Sequence, residues 1–123
     1  MTNNEQMIKS LSDLLEDGEK LFYPIYGTLV QKKDHWFGYF GLTEHCLLIA
    51  LLQGNSKVVS WSTRIPLDIK EVTIKKGIIS LQYNICIEFN EGEAGCFKVS
   101  KKVHGIENQE ENLKGFIDFI QTH

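Results

Sequence analysis

Proline is scarce, with two residues in 123, and the three cysteines, Cys46, Cys86 and Cys96, are odd in number and lack C-x-x-C spacing. No zinc spacing is present, and the three read as reduced thiols in a cytoplasmic protein. Charge of one sign is not in excess. The formal net charge is −3, so no global cationic field draws in nucleic acid or anionic lipid, and either would need a local patch. Long apolar runs are missing too. The longest, Cys46 to Leu52, falls far short of the roughly 20 residues that span a bilayer. The opening residues are polar and acidic, residue 2 is Thr rather than Gly, and no prenylation box ends the chain, so no targeting or lipid-anchor segment is expected. The glycines stand singly at strand breaks, which excludes a phosphate loop.

What is present is an order of elements. An apolar content of 42% with 24% charged residues suits one globular domain with a single core. Residues 4–17 predict a helix with Met7, Ile8, Leu11, Leu14 and Leu15 on one stripe, a cap at Thr2 or Asn4, and a stop at Gly18. Strands are expected at Leu21–Gln31, Trp36–Thr43, Cys46–Leu52, Val58–Arg64, Glu71–Lys75, Ile78–Phe89 and from Cys96 to Val99. Pro24 places the first strand on an edge or bulges it. Gly38 and Gly41 permit a bulge or a close approach in the second. The third is apolar on both faces, so both should be covered. Val59, Trp61 and Thr63 share a face of the fourth, and Ile65–Pro66–Leu67–Asp68 makes a corner. The sixth alternates most clearly, with Ile79, Leu81, Tyr83, Ile85, Ile87 and Phe89 against polar neighbours. Asn108 with Glu111 resembles a helix start, and Leu113, Phe116, Ile117 and Ile120 form the stripe of a closing helix.

Three segments carry a likeness to a known family. Gly41–Leu42–Thr43–Glu44–His45–Cys46–Leu47–Leu48–Ile49 resembles a G-x-L-T lead into a central strand. Arg64–Ile65–Pro66–Leu67–Asp68–Ile69–Lys70–Glu71–Val72 resembles an I-P-L-x-x-I-x-x-V corner, and Glu111–Asn112–Leu113–Lys114–Gly115–Phe116–Ile117 resembles a closing helix. From Glu19 to Gln121 the chain resembles a bacterial pleckstrin-homology-like (PH-like) domain, related in shape to PH and GRAM domains. The resemblance implies an α+β, mainly β fold: a strongly bent seven-stranded antiparallel barrel or sandwich with a C-terminal capping helix. Residues 1–18 are then an N-terminal helical extension and 19–123 the PH-like domain. Lipid-binding members carry Lys and Arg around the first hairpin. This chain has Lys32 and Lys33 in that turn and no basic residue in Trp36–Phe37–Gly38–Tyr39–Phe40.

Chemistry is thinly represented. His35, His45, His104 and His123 are far apart, and adjacent strand residues such as His45 and Cys46 point to opposite faces, so no metal site is expected. No base accompanies Cys46, Cys86 or Cys96, which read as packing residues, and a cysteine-dependent enzyme is only a remote alternative. The carboxylates Glu16, Asp17 and Glu19, Glu91 with Glu93, and Glu110 with Glu111 read as solvated surface. No catalytic residue and no cofactor are assigned. The binding candidates are Lys32, Lys33, His35, Trp36 and Phe37 at the first hairpin, set against simple packing of the aromatic pair, and the stripe of Met7, Ile8, Leu11, Leu14 and Leu15 as an interaction helix. The expected function is a non-catalytic binding module for a protein partner or for itself, as a homo-oligomer. The alternative is peripheral contact with an anionic membrane or lipid headgroup through the first hairpin. Nucleic acid is not an expected partner. The dibasic pairs Lys75–Lys76 and Lys101–Lys102 would extend a patch only if they shared an end with Lys32–Lys33.

Overall fold

The computed structural model describes residues 2–54, 56–77, 81–92 and 94–123. Ile78, Ile79 and Ser80 of the expected sixth strand, Asn55 of a turn, and Glu93 of the Glu91–Glu93 pair lie outside them. The chain runs α1 (Asn3–Ser12), β1 (Phe22–Gln31), β2 (Asp34–Leu42), β3 (Cys46–Leu52), β4 (Val59–Pro66), β5 (Ile69–Lys76), β6 (Gln82–Phe89), β7 (Gly95–Ser100) and α2 (Gln109–Gln121). The strands form one antiparallel sheet in the order β4-β3-β2-β1-β7-β6-β5.

The sheet curls on itself without closing. β4 and β6 are five places apart in that order, roughly 24 Å in a flat sheet. Yet Leu47 and Ile49 of β3, with Ile65 of β4 against them, belong to one cluster with Ile85 and Ile87 of β6 and Phe97 of β7. Phe40 stacks on Phe97 at 4.7 Å, and Phe116 of α2 meets Phe97 edge-on at 5.8 Å. The Leu113, Phe116 and Ile120 stripe of α2 is fully inside this cluster, so the closing helix fills the curl as its periodicity requires. At Gly115 the absence of a side chain lets the Tyr23 ring pack against the helix, because a Cβ there would collide with that ring.

The two apolar faces of β3 are covered from two sides. Leu47, Ile49 and Leu51 face the interior, while Leu48, Ala50 and Leu52 join Met7, Leu11 and Tyr39 in a second cluster under α1. α1 begins with a capping box in which Thr2 and Glu5 each satisfy the other's backbone N–H, an arrangement worth about 1 kcal/mol.

Several details depart from the sequence expectations. α1 stops at Ser12, capped by Asp13, and Leu14 and Leu15 reach the second cluster from the turn that follows. The positive φ of Gly18, 82°, serves a later turn. At Pro24 the bulge, one of the two expected outcomes, is the one found: β1 is central, its register slips between Phe22 and Ile25, and Tyr23 takes φ 51°. The corner expected at Ile65–Asp68 is present, since β4 ends at Pro66 and β5 starts at Ile69 at the other end of the sheet order, but Pro66 itself is still paired. It ends β4 opposite Cys46, which an edge strand tolerates because its missing donor leaves no ladder bond broken on the free side. A bulge between Leu51 and Leu52 splits Val59 from Trp61, so Val59 joins the α1 cluster while Trp61 turns to the interior side. Leu81 precedes β6 and is 60% exposed. Asn108 adopts φ 58° and its side chain makes no capping bond. Gln109 is the residue that ties α2 down. It is buried, accepts from Tyr26 N–H at 3.1 Å, and donates to the carbonyls of Tyr26 and Ser100 at 2.9 and 3.0 Å. These bonds stand in for a strand ladder where the β1–β7 pairing has ended at Thr28 and Lys98.

The cysteine reading is corrected. Cys86 and Cys96 face each other across β6 and β7, with Cα atoms 4.1 Å apart, and form a disulfide; Cys46 alone is free. Register, not sequence spacing, brings them together. The compartment expectation rested on three reduced thiols and retains only Cys46.

Candidate functional site

The curl leaves one opening unfilled. Between β4 and the β6–β7 turn lies a cleft of about 350 Å³. Trp61 and Ile65 of β4 line one side, Phe89, Glu91 and Gly92 the other, and core residues such as Leu47, Ile49 and Phe97 form the floor. Its volume is at the small end of the range for ligand pockets, and its surface is mostly apolar. β4 is an edge strand, and Trp61, projecting from it, is 52% exposed. Glu91 is the only titratable side chain among the described lining residues. The cleft therefore offers shape and apolar contact rather than acid–base chemistry.

Sequence reasoning missed this cleft because five separate strands and a turn supply its walls. The signal that existed was Trp61 between Ser60 and Ser62: a large aromatic on a strand with little apolar company.

The first-hairpin residues do not form one surface. Lys32 and Lys33 make an exposed two-residue turn closed by the Gln31–Asp34 pair. His35 is exposed. Trp36 and Phe37 diverge as neighbours on a strand must: Trp36 lies against the interior cluster, while Phe37 stacks on Tyr26 at 6.2 Å on the outer face. On α1, Met7 and Leu11 are wholly buried on the protein's own sheet, Leu14 and Leu15 are partly covered there, and Ile8 remains exposed.

The dibasic turns divide between two ends. Lys76 pairs with Tyr83, Gln82 with Ser100, and Lys101 N–H donates to the Leu81 carbonyl, so Lys75–Lys76 and Lys101–Lys102 adjoin. Lys76 and Lys101 each hold an ammonium 5.9 Å from the Tyr83 ring centroid. Val30 pairs with Cys96, at the other end of β7, which puts Lys32–Lys33 away from them.

Of the carboxylates read as solvated, Glu19 is partly covered, while Glu16 and Asp17 are exposed. Arg64 of β4 grips Glu19 with two bonds, 2.6 and 2.9 Å, reaches Glu16 at 3.2 Å, and donates to the Leu14 carbonyl at 2.9 Å. The Arg64 bonds, helped by the Glu16 N–H, hold the Glu19 carboxyl at about 2. The same bonds raise the Arg64 pKa. This fork pins the segment after α1 to the outside of β3 and β4, beside Cys46, whose Sγ lies 3.5 Å from the guanidinium. Among the described residues no group of three or more His, Cys, Asp or Glu could hold a metal ion, and no helix is long and apolar enough to cross a membrane.

Comparison with known proteins bears on the fold. No family model matches the chain, and no curated protein matches it. Solved structures do. The hSac2 domain of the human phosphoinositide phosphatase Sac2 superposes with a TM-score of 0.63 at 14% identity, over 96% of this chain and 78% of that one. The C-terminal domain of an unknown protein from Leishmania infantum gives 0.61 at 16%, over 93% and 94%. The Vps36 N-terminal PH domain gives 0.56 at 18%, over 89% and 87%. The chain thus has a PH-like fold, a seven-stranded antiparallel sheet with a C-terminal helix and an added N-terminal helix.

Proposed function

We propose that this chain is a non-catalytic binding module that takes an extended segment of a protein partner along the free edge of β4, with a large apolar side chain seated in the cleft beside Trp61. The observation that carries this reading is the pairing of an unfilled apolar cleft with an unpaired edge strand that supplies part of its lining. Main-chain hydrogen bonds to an edge give affinity in such complexes, and a side-chain pocket gives specificity. Trp61 is the kind of half-exposed aromatic that anchors interfaces. α1 serves this module as an intramolecular cover rather than as the docking element, since Met7 and Leu11 are already occupied.

The test is a panel of neutral extended peptides, each with one Leu, Phe or Trp, titrated while backbone amide resonances are followed. Shifts confined to Val59–Pro66 and the β6–β7 turn, lost in Trp61→Ala, support the reading. Peptides that leave those resonances unmoved, or that bind equally well to the variant, overturn it.

A second reading, peripheral contact with an anionic membrane, draws on the exposure of Lys32 and Lys33 at their turn. It requires phosphatidylserine vesicles to sediment the protein at low salt, and Lys32→Ala with Lys33→Ala to release it.

A further inference from the structure

The outer face of the sheet carries a groove that the cleft reading does not use. Two concavities, of about 260 and 270 Å³, share Tyr26 and Val103 as walls. Phe37, Lys98 and Lys102 line the first, and Lys57 lines the second. No acidic side chain is among the described residues lining either one. In a chain of formal net charge −3, that is a local reversal of sign. Phe37 is 44% exposed, with one ring face against Tyr26 and the rest open to the groove. Lys98 stands opposite Thr28 in the β1–β7 register, on the strand next to the aromatic pair. Beyond the 101–106 segment, Lys102 also adjoins Glu110 and Glu111, which leaves Lys98 and Lys57 as the less compensated cations.

We propose that this groove binds a short acidic segment of a protein partner, its carboxylates paired with Lys98, Lys102 and Lys57 and an apolar side chain laid on Phe37. Charge complementarity selects the acidic ligand. The net negative charge of the whole chain works against a long polyphosphate such as nucleic acid, whose affinity comes from many phosphates at once. The groove lies on the outer face and the cleft on the inner, so the two sites stand or fall separately.

The probe is a fluorescein-labelled peptide of four glutamates around one phenylalanine, followed by anisotropy. Saturable binding is expected at low salt, weakened at high salt. Lys98→Glu with Lys102→Glu should weaken it by about tenfold or more, as expected for removed and reversed charge partners. Phe37→Ser should weaken it further while circular dichroism stays unchanged, because all three side chains are exposed. Trp61→Ala should leave it untouched, which separates this site from the cleft. A peptide of lysines around phenylalanine should not bind. Absence of binding by the acidic peptide, or indifference to the lysine reversals, overturns the proposal. So does Lys98-dependent binding of oligouridylate or phosphatidylserine vesicles in place of the peptide, which would assign the groove to those ligands.

Discussion

The curled sheet has two openings, and they are finished in opposite ways. One is filled by α2, whose Leu113, Phe116 and Ile120 are buried and whose Gln109 completes the hydrogen bonding of β1 and β7. The other, between β4 and the β6–β7 turn, keeps a cleft of about 350 Å³ with Trp61 half in solvent. The two share apolar walls, since residues of one interior cluster surround the α2 stripe and also floor the cleft. The difference is whether the chain supplies its own occupant. Where it does, the apolar surface contributes stability. Where it does not, the same surface is left for a partner, at the cost of an exposed aromatic on an edge strand.

The sharpest way to break this comparison is Phe116→Ala. The side chain is fully buried and meets Phe97 edge-on, so its loss should cost about 3–5 kcal/mol in urea unfolding. A loss below about 1 kcal/mol would mean that α2 does not fill its opening. Next in size is the disulfide. Cys86–Cys96 lies one register step from the Ile87–Gly95 pair, and both of those residues belong to the wall region of the open cleft or its rim. Closing a loop of 10 residues should contribute about 2–3 kcal/mol, to be read as the stability lost in the Cys86→Ser, Cys96→Ser double variant. If that variant is as stable as the parent, the open side owes nothing to its staple.

The filled opening was legible in the sequence and the open one was not, for a physical reason. The α2 stripe is a local period, and so is the two-sided apolar run of β3 that anticipated a cover on each face. Periodicity reports which residues leave water. It does not report what they meet. The Cys86–Cys96 bond and the turning of Trp61 away from Val59 depend on register or on a one-residue bulge, which reverses every later side chain on a strand. Gln109 escaped notice because a polar residue in a first helical turn looks solvated unless the strand end beneath it is known. The Glu19–Arg64 fork escaped for a similar reason: its partners are 45 residues apart.

That fork offers a test confined to acid. Glu19 titrates at about 2 in the folded protein against an ordinary value near 4.5, so its contribution is complete above that ordinary value and is lost as pH falls from about 4.5 towards 2. Urea midpoints measured across that window should fall for the parent and fall less steeply for Glu19→Gln. Equal slopes would mean that Arg64 does not hold this carboxylate. Because the fork fixes the segment beside α1, the acid loss should appear first as hydrogen exchange in residues 14–20 and β4, with α2 still protected.

The smallest expected change in stability is at the residue expected to matter most for binding. Trp61→Ala removes a side chain that is 52% exposed, from a strand with one free edge, and should shift the unfolding free energy by no more than about 1 kcal/mol. Phe116 and Trp61 are both large aromatics, one inside the interior cluster and one on the cleft that the cluster floors, so side-chain size does not separate them. Occupancy does. A loss at Trp61 approaching that at Phe116 would show that the cleft is closed in solution by the chain itself, and the contrast between a filled and an open side would disappear. A near-neutral effect on folding, combined with loss of peptide-induced shifts along β4, would place the two openings at opposite ends of one scale: the more an apolar residue is already covered, the more it holds the fold together and the less it can offer to a partner.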